Sequence, residues 1–174
     1  VVTAIKQGLG NPLFLADVRL EPGIHSTNDL GIAAGQQDFL LLAPPAQHLR
    51  AIAVQLRPLI TNGTPIVICS KGIERGSCAL MPEVVADAIP AATVAVLSGP
   101  SFAKEIARDL PCGVALACAD ALVRAQLVRD IGTPRFCVNP NDDVIGTSLG
   151  GVMKNVIAIA SGIAAGRKLG ENAR

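Results

Sequence analysis

Val94-Ala95-Val96-Leu97-Ser98-Gly99-Pro100-Ser101-Phe102-Ala103-Lys104-Glu105-Ile106-Ala107 is the stretch that decides the fold. Its first four residues are apolar, two of them β-branched, as expected of a short buried strand. Ser98-Gly99-Pro100 interrupts the chain, and a helix is predicted from Ser101 to about Asp109. Ser101 is its expected N-cap, with Lys104 and Glu105 on the wet side. A strand that feeds a helix N-terminus through a glycine is a place where α/β proteins receive anions, because free N–H groups and the helix dipole converge there. The same residues equally describe an ordinary capped turn.

The strand–helix rhythm extends outward in both directions. Phe39-Leu40-Leu41-Leu42 is an apolar run stopped by Pro44-Pro45, as in a strand buried on both faces. In residues 46–56, Leu49, Ile52, Ala53 and Leu56 fall on one helical face. A strand over residues 65–69 ends at Ser70-Lys71-Gly72, and residues 80–89 read as a helix. Beyond the central stretch come a strand at 113–118, a helix at 120–131 and a short strand at 135–138. Upstream, residues 1–22 begin as a helix and pass through turns at Gly10-Asn11-Pro12 and Glu21-Pro22-Gly23. A short strand at 24–27 and a helix at 29–34, capped by Asn28, complete the pattern. Alternation with short connections predicts a parallel sheet covered on both faces.

The rhythm changes after Asn139-Pro140-Asn141, where residues 143–165 read as one long helix. Ile145, Leu149, Val152, Val156, Ile159 and Ile163 form an apolar face. Thr147, Gly150, Gly151, Lys154, Ala158 and Ser161 form a second face of small residues around one lysine. Each interior glycine costs roughly 1 kcal/mol relative to alanine, so close packing or ligand approach is expected to compensate. Asp142 and Asp143 suit the helix N-terminus. The expected division is a sheet domain over residues 1–140 and the start of a helical domain over 141–174.

Composition excludes several classes of function. The net charge of +1 gives no basic footprint for nucleic acid, and with four Phe and no Trp or Tyr there are few rings on which to stack bases. Apolar runs are too short and too broken to predict a membrane span. The opening residues lack the charged lead and apolar block of a signal peptide. The five cysteines form no Cys-x-x-Cys pair and have aliphatic neighbours, which predicts buried free thiols in a reducing, cytoplasmic compartment.

Two lysines stand out once the core is subtracted. Lys71 and Ser98 follow predicted strands at their carboxyl ends, where open parallel sheets bind ligands. A lysine there can meet an anion or polarise a carbonyl; a solvated loop cation is the alternative. Lys154 on its small-residue face is expected to be crowded and partly desolvated, the setting that prepares a lysine for proton transfer. The alternative is a snorkelling surface lysine. His25 and His48 stand alone and read as surface residues. No hydrolase elbow, P-loop or metal-ligand spacing occurs.

Three blocks closely resemble NAD(P)-dependent glycerol-3-phosphate dehydrogenase: Ser70-Lys71-Gly72-Ile73-Glu74, Leu97-Ser98-Gly99-Pro100-Ser101-Phe102-Ala103, and Val152-Met153-Lys154-Asn155-Val156-Ile157-Ala158-Ile159-Ala160. Their order and spacing match, as do Asn11-Pro12, Ala43-Pro44-Pro45-Ala46-Gln47 and Gly170-Glu171-Asn172-Ala173-Arg174. The resemblance implies reduction of dihydroxyacetone phosphate to sn-glycerol 3-phosphate with NAD or NADP, for glycerophospholipid synthesis. It implies that Lys154 is the proton donor, that Lys71 contacts substrate and cofactor, and that Gly99, Ser101 and Asn155 bind substrate. Ala103 would lie against the cofactor.

The resemblance also implies what this sequence omits. It has no Gly-x-Gly-x-x-Gly turn, and it stops before the Asp and the Arg-Asn pair that the family uses on substrate. The expected fold is therefore a Rossmann-like parallel sheet lacking its first two strands, followed by the start of an all-α domain. Without those strands, the segment at 24–27 is expected to stand apart and the strand at 39–42 to have an open edge. The whole enzyme is expected to be a homodimer acting on a small molecule. A truncated, non-catalytic fragment or pseudoenzyme with at most a subunit-interaction role is the second reading. A Rossmann-plus-helical dehydrogenase for another 2-hydroxy compound is the third.

Overall fold

Alternate residues of the central strands enter opposite cores, as the period of two requires. In the computed structural model, which describes residues 1–170, five strands form one sheet: β1 (Leu40–Leu42), β2 (Pro65–Ile68), β3 (Thr93–Ser98), β4 (Cys112–Cys118) and β5 (Phe136–Asn141). Ile66, Ile68 and Val96 face one core with Leu49, Ala53 and Leu56 of α3 (Leu49–Leu56) and Met81, Val84 and Val85 of α4 (Met81–Ala88). Val67, Ala95, Val114, Leu116 and Cys118 face the other, covered by Leu127 of α6 (Ala121–Ile131). The remaining helices are α1 (Val2–Lys6), α2 (Leu30–Ala34), α5 (Ala103–Ile106) and α7 (Val144–Gly166). A 3₁₀ turn at Ala46–His48 leads into α3. The block at 170–174 falls, from Glu171 on, outside the described residues.

The strands lie in the order β1-β2-β3-β4-β5, and every neighbouring pair is parallel except β3 and β4. The wholly parallel sheet expected from the sequence is corrected here. A parallel return needs a connection that carries the chain back along the length of the sheet. The link after β3 contains only the four-residue α5, one turn of roughly 6 Å at 1.5 Å per residue, so the chain folds back beside β3 instead. Residues 24–27 form no strand, because the sheet stops at β1 and offers them no ladder.

The predicted caps shift by a residue or two. Asp29, not Asn28, caps α2, accepting from the Gly31 and Ile32 amides at 2.7 and 3.1 Å. Phe102, not Ser101, occupies the N-cap position of α5, which has no side-chain cap. Asp120 and Asp143 cap α6 and α7 as carboxylates at the positive ends of their helices. Among the described residues α7, with 23 residues and a mean hydropathy of 1.4, is long and apolar enough to cross a bilayer by length and composition alone, a criterion that core helices of soluble proteins also meet. It packs along β3, β4 and α4 and carries Lys154 near its middle.

Candidate active site

The site is assembled where the carboxyl ends of β2 and β3 meet α7. Ser70, just past β2, donates from Oγ to the Pro44 carbonyl at 2.5 Å. The next residue, Lys71, reaches across the sheet edge, and its Nζ donates to the Gly99 carbonyl at 2.9 Å. A Cβ on Gly99 would stand 2.9 Å from the Gly113 carbonyl oxygen and from Val114 Cα, so only glycine lets the end of β3 lie against β4. Cys112 Sγ donates to the Pro100 carbonyl and ties the same loop back to β4.

The small residues of α7 now have a physical reason. A Cβ on Gly151 would lie 2.7 Å from Ser98 Oγ and 3.6 Å from Lys71 Cγ, so the helix backbone presses directly on the end of β3. Gly150 faces open space and leaves the cleft unfilled. Asn141 at the end of β5 fixes the first turns of α7 by donating from Nδ2 to Thr147 Oγ1 at 3.1 Å.

These contacts border an open cleft of about 220 Å³ whose walls include Lys71, Ser98, Gly99, Thr147, Gly150 and Lys154. Its lining holds two cationic side chains and no carboxylate, which suits a small anion. Lys154 stands over the Phe102 ring with Nζ 5.6 Å from the centroid, within cation–π range. Its side chain is exposed, so the crowding expected from the sequence is corrected: the small residues around it serve the contact with β3. A larger void of about 840 Å³ lies among residues 5–37 and shares no lining residue with the cleft. Its lining has no paired lysines, which sets it apart from the smaller cleft.

The structure thus brings Lys71, Gly99 and Lys154 to one cavity. Ser101, Ala103 and Asn155 are exposed and outside its lining, although Ser101 Oγ donates to the Gly99 carbonyl at 3.4 Å. The lining adds Thr147, which the sequence offered only as one small residue of a helical face. Outside the cleft lining lies an ion cluster of which the sequence blocks held only Glu74. Arg50 on α3 grips both oxygens of Glu74, at 2.8 and 2.9 Å, and also bonds Asp87 on α4. The Arg50 fork, helped by the Ser77 hydroxyl, holds the Glu74 carboxyl down to about 2. The same pairing raises the Arg50 guanidinium above its usual value.

All five cysteines are free thiols, but only Cys118 is buried; Cys78 and Cys137 are exposed, which corrects the expected burial. Burial pushes the Cys69 thiol upward, with Lys71 acting against it, and burial likewise raises Cys118.

Fold and cleft together define a class: a Rossmann-like α/β domain with a cationic site beyond the carboxyl ends of parallel strands. The chain belongs to the NAD-dependent glycerol-3-phosphate dehydrogenase family, matching its N-terminus over residues 1–123 and its C-terminus over residues 143–174. It is 49% identical over 164 residues to glycerol-3-phosphate dehydrogenase (NAD(P)+) of Parvibaculum lavamentivorans, covering 94% of this chain and 49% of that protein. To the enzyme of the same name from Paramagnetospirillum magneticum it is 50% identical, covering 94% and 59%. The crystal structure of glycerol-3-phosphate dehydrogenase from Coxiella burnetii superposes with a TM-score of 0.87 at 34% identity, over 98% of this chain and 52% of that one. A Plasmodium falciparum glycerol-3-phosphate dehydrogenase structure shares the fold at 22% identity, with a TM-score of 0.90 over 99% and 49%. The chain spans about half the length of the curated relatives it matches.

Proposed function

We propose that this chain supplies the sheet domain and the lysine cleft of a cytoplasmic oxidoreductase that interconverts dihydroxyacetone phosphate and sn-glycerol 3-phosphate with NAD(P)H, in the service of glycerophospholipid synthesis. The observation that carries the reading is the meeting of Lys71 and Lys154, 83 positions apart in the sequence (154 − 71), on one small cavity without a carboxylate. The five free thiols support a reducing compartment.

In this reading Lys154 donates a proton to the substrate carbonyl oxygen and takes it back in the reverse direction. Lys71 lies across the cleft and stabilises the negative charge that grows on that oxygen, an interaction stronger in the transition state than in the ground state. Gly99, Ser101 and Asn155 hold the substrate. The carboxyl ends of β1, β2 and β3 share one edge, and the cleft lies on it, so Lys71 would meet the nicotinamide end of a dinucleotide there, while the role of Ala103, outside the cleft lining, rests on the resemblance alone. When bound, that group supplies the hydride. The sequence has no Gly-x-Gly-x-x-Gly turn for the pyrophosphate, so the fit concerns the nicotinamide end alone.

The test is Lys154→Ala in an enzyme that carries this sequence extended to the length of its relatives. A loss of at least ~10²-fold in kcat is expected, the size of a general-acid contribution. An unchanged kcat would remove Lys154 from the chemistry. The 174-residue chain assayed beside it should oxidise no NADH with dihydroxyacetone phosphate.

A further inference from the structure

The reading above needs the Lys71 ammonium at a fixed place, yet Lys71 sits on an exposed loop between β2 and α4. A long cation on such a loop has many rotamers, and holding one of them requires that its backbone be fixed first. The residues that fix it come from the segment after β1. The Gln47 carboxamide donates from Nε2 to the Ile73 carbonyl at 2.8 Å and accepts at Oε1 from the Arg75 amide at 3.0 Å. It therefore pairs with the loop on both sides of Glu74, as a neighbouring strand would.

Glu74 is held from its other end. Arg50 binds both of its oxygens, Ser77 Oγ donates to Oε2 at 2.6 Å, and the third arm of Arg50 reaches Asp87 on α4. The Glu74 side chain is 16% exposed and that of Arg50 38%, so the pair is partly sheltered from salt. Between Glu74 and Lys71 stand Ile73, whose carbonyl Gln47 holds, and then only Gly72. Its φ is +156°, and a Cβ there would lie 2.5 Å from the Cβ of Ala46, so the loop is pressed against the turn that carries Gln47. At the far end of the side chain, the Gly99 carbonyl receives Nζ.

We propose that Gln47 and Arg50, the latter through Glu74, are positioning residues that aim Lys71 into the cleft. None of the three lines the cavity, so their influence on a bound ligand passes through Lys71. The proposal rests on the dehydrogenase reading for its purpose but not for its geometry.

The experiment measures amine reactivity, lysine by lysine, in the 174-residue chain. Limited acetylation followed by peptide mass spectrometry is run on the wild type, Gln47→Ala and Glu74→Gln, with Lys6 and Lys104 as internal references and far-UV circular dichroism in parallel. Release of Lys71 should raise its relative rate by about threefold or more in both variants, the equilibrium factor of one modest hydrogen bond, while Lys6 and Lys104 stay level. Unchanged Lys71 reactivity in a folded variant, or an equal rise at all three lysines, overturns the proposal. If either variant loses its circular dichroism, Arg50→Lys decides, because it keeps the charge and loses the fork. An intermediate rise at Lys71 supports the clamp and no rise rejects it. Labelling does not depend on turnover, so loss of the dehydrogenase reading would leave its result standing.

Discussion

Ile68 and Ile159 are the same side chain on two elements, β2 and α7, that meet at the cleft without lining it themselves. Ile68 ends β2 and is 0% exposed, surrounded by Leu42, Leu49, Met81 and Val84 of the core. Ile159 lies on α7 and is 65% exposed, as are Val156 at 56% and Ile163 at 57%. Among the described residues of α7 only Ser148 and Ala164 are buried. The sheet wall is thus fixed by apolar burial from both faces. The helix wall is fixed at its near end, by the Gly151–Ser98 approach and by Asn141 and Asp143 around its first turn. Precision at a site does not require equal burial on its two sides. A backbone seated where an added Cβ would meet the Ser98 hydroxyl can locate a lysine whose own helix is mostly wet.

That contrast can be broken in three ways. Ile68→Ala should cost about 2–5 kcal/mol in chemical denaturation, whereas Ile159→Ala should stay within about 0.5 kcal/mol. Equal costs would show that the apolar face of α7 is covered in solution. Gly151→Val should cost about 1–3 kcal/mol, because the new side chain meets Ser98 and Lys71 and pushes α7 off the sheet. Amide exchange along residues 144–154 should quicken while β2 stays protected; uniform exchange would show that the helix is not seated by this contact. The smallest effect belongs to the clamp. The Glu74 carboxyl is depressed from 4.5 to about 2, so its stabilisation is present above 4.5 and fades as pH falls towards 2. The stability gap between wild type and Glu74→Gln should be level from pH 7 to pH 5 and close between pH 4.5 and 2. A gap that persists at the acid end would assign the substitution's effect to something other than charge.

Much of the layout was legible in the sequence because burial and period leave direct marks. The run at 39–42 contains β1, the run at 65–69 contains β2, and the helix expected at 143–165 is α7 within a residue at each end. The meeting of Lys71 and Ser98 on one cleft followed from the rule that places ligands beyond the carboxyl ends of strands. Strand direction was not legible: Val114, Leu116 and Cys118 report burial, and burial is the same whichever way β4 runs. Of the two environments open to Lys154 the structure shows the exposed one; glycines beside a lysine signal close approach without saying to what. Arg50, Glu74 and Asp87 stayed hidden because they lie 24 and 37 positions apart, and no helical or strand period relates them.

The reversal at β4 has a consequence for reach. Asn141 at the end of β5 is level with Ala117 of β4, which in turn is level with Val96 in the middle of β3. α7 therefore sets out from beside the middle of β3 and passes the end of that strand at Gly151. A final strand running the same way as β3 would have ended at the ligand edge, and a helix leaving it would have had to turn away or double back. Folded as it is, the chain delivers the helix across the mouth of the cleft from below. The residues from Lys154 to Gly166 then span about 18 Å at 1.5 Å per residue, a largely exposed boom that starts at the cleft.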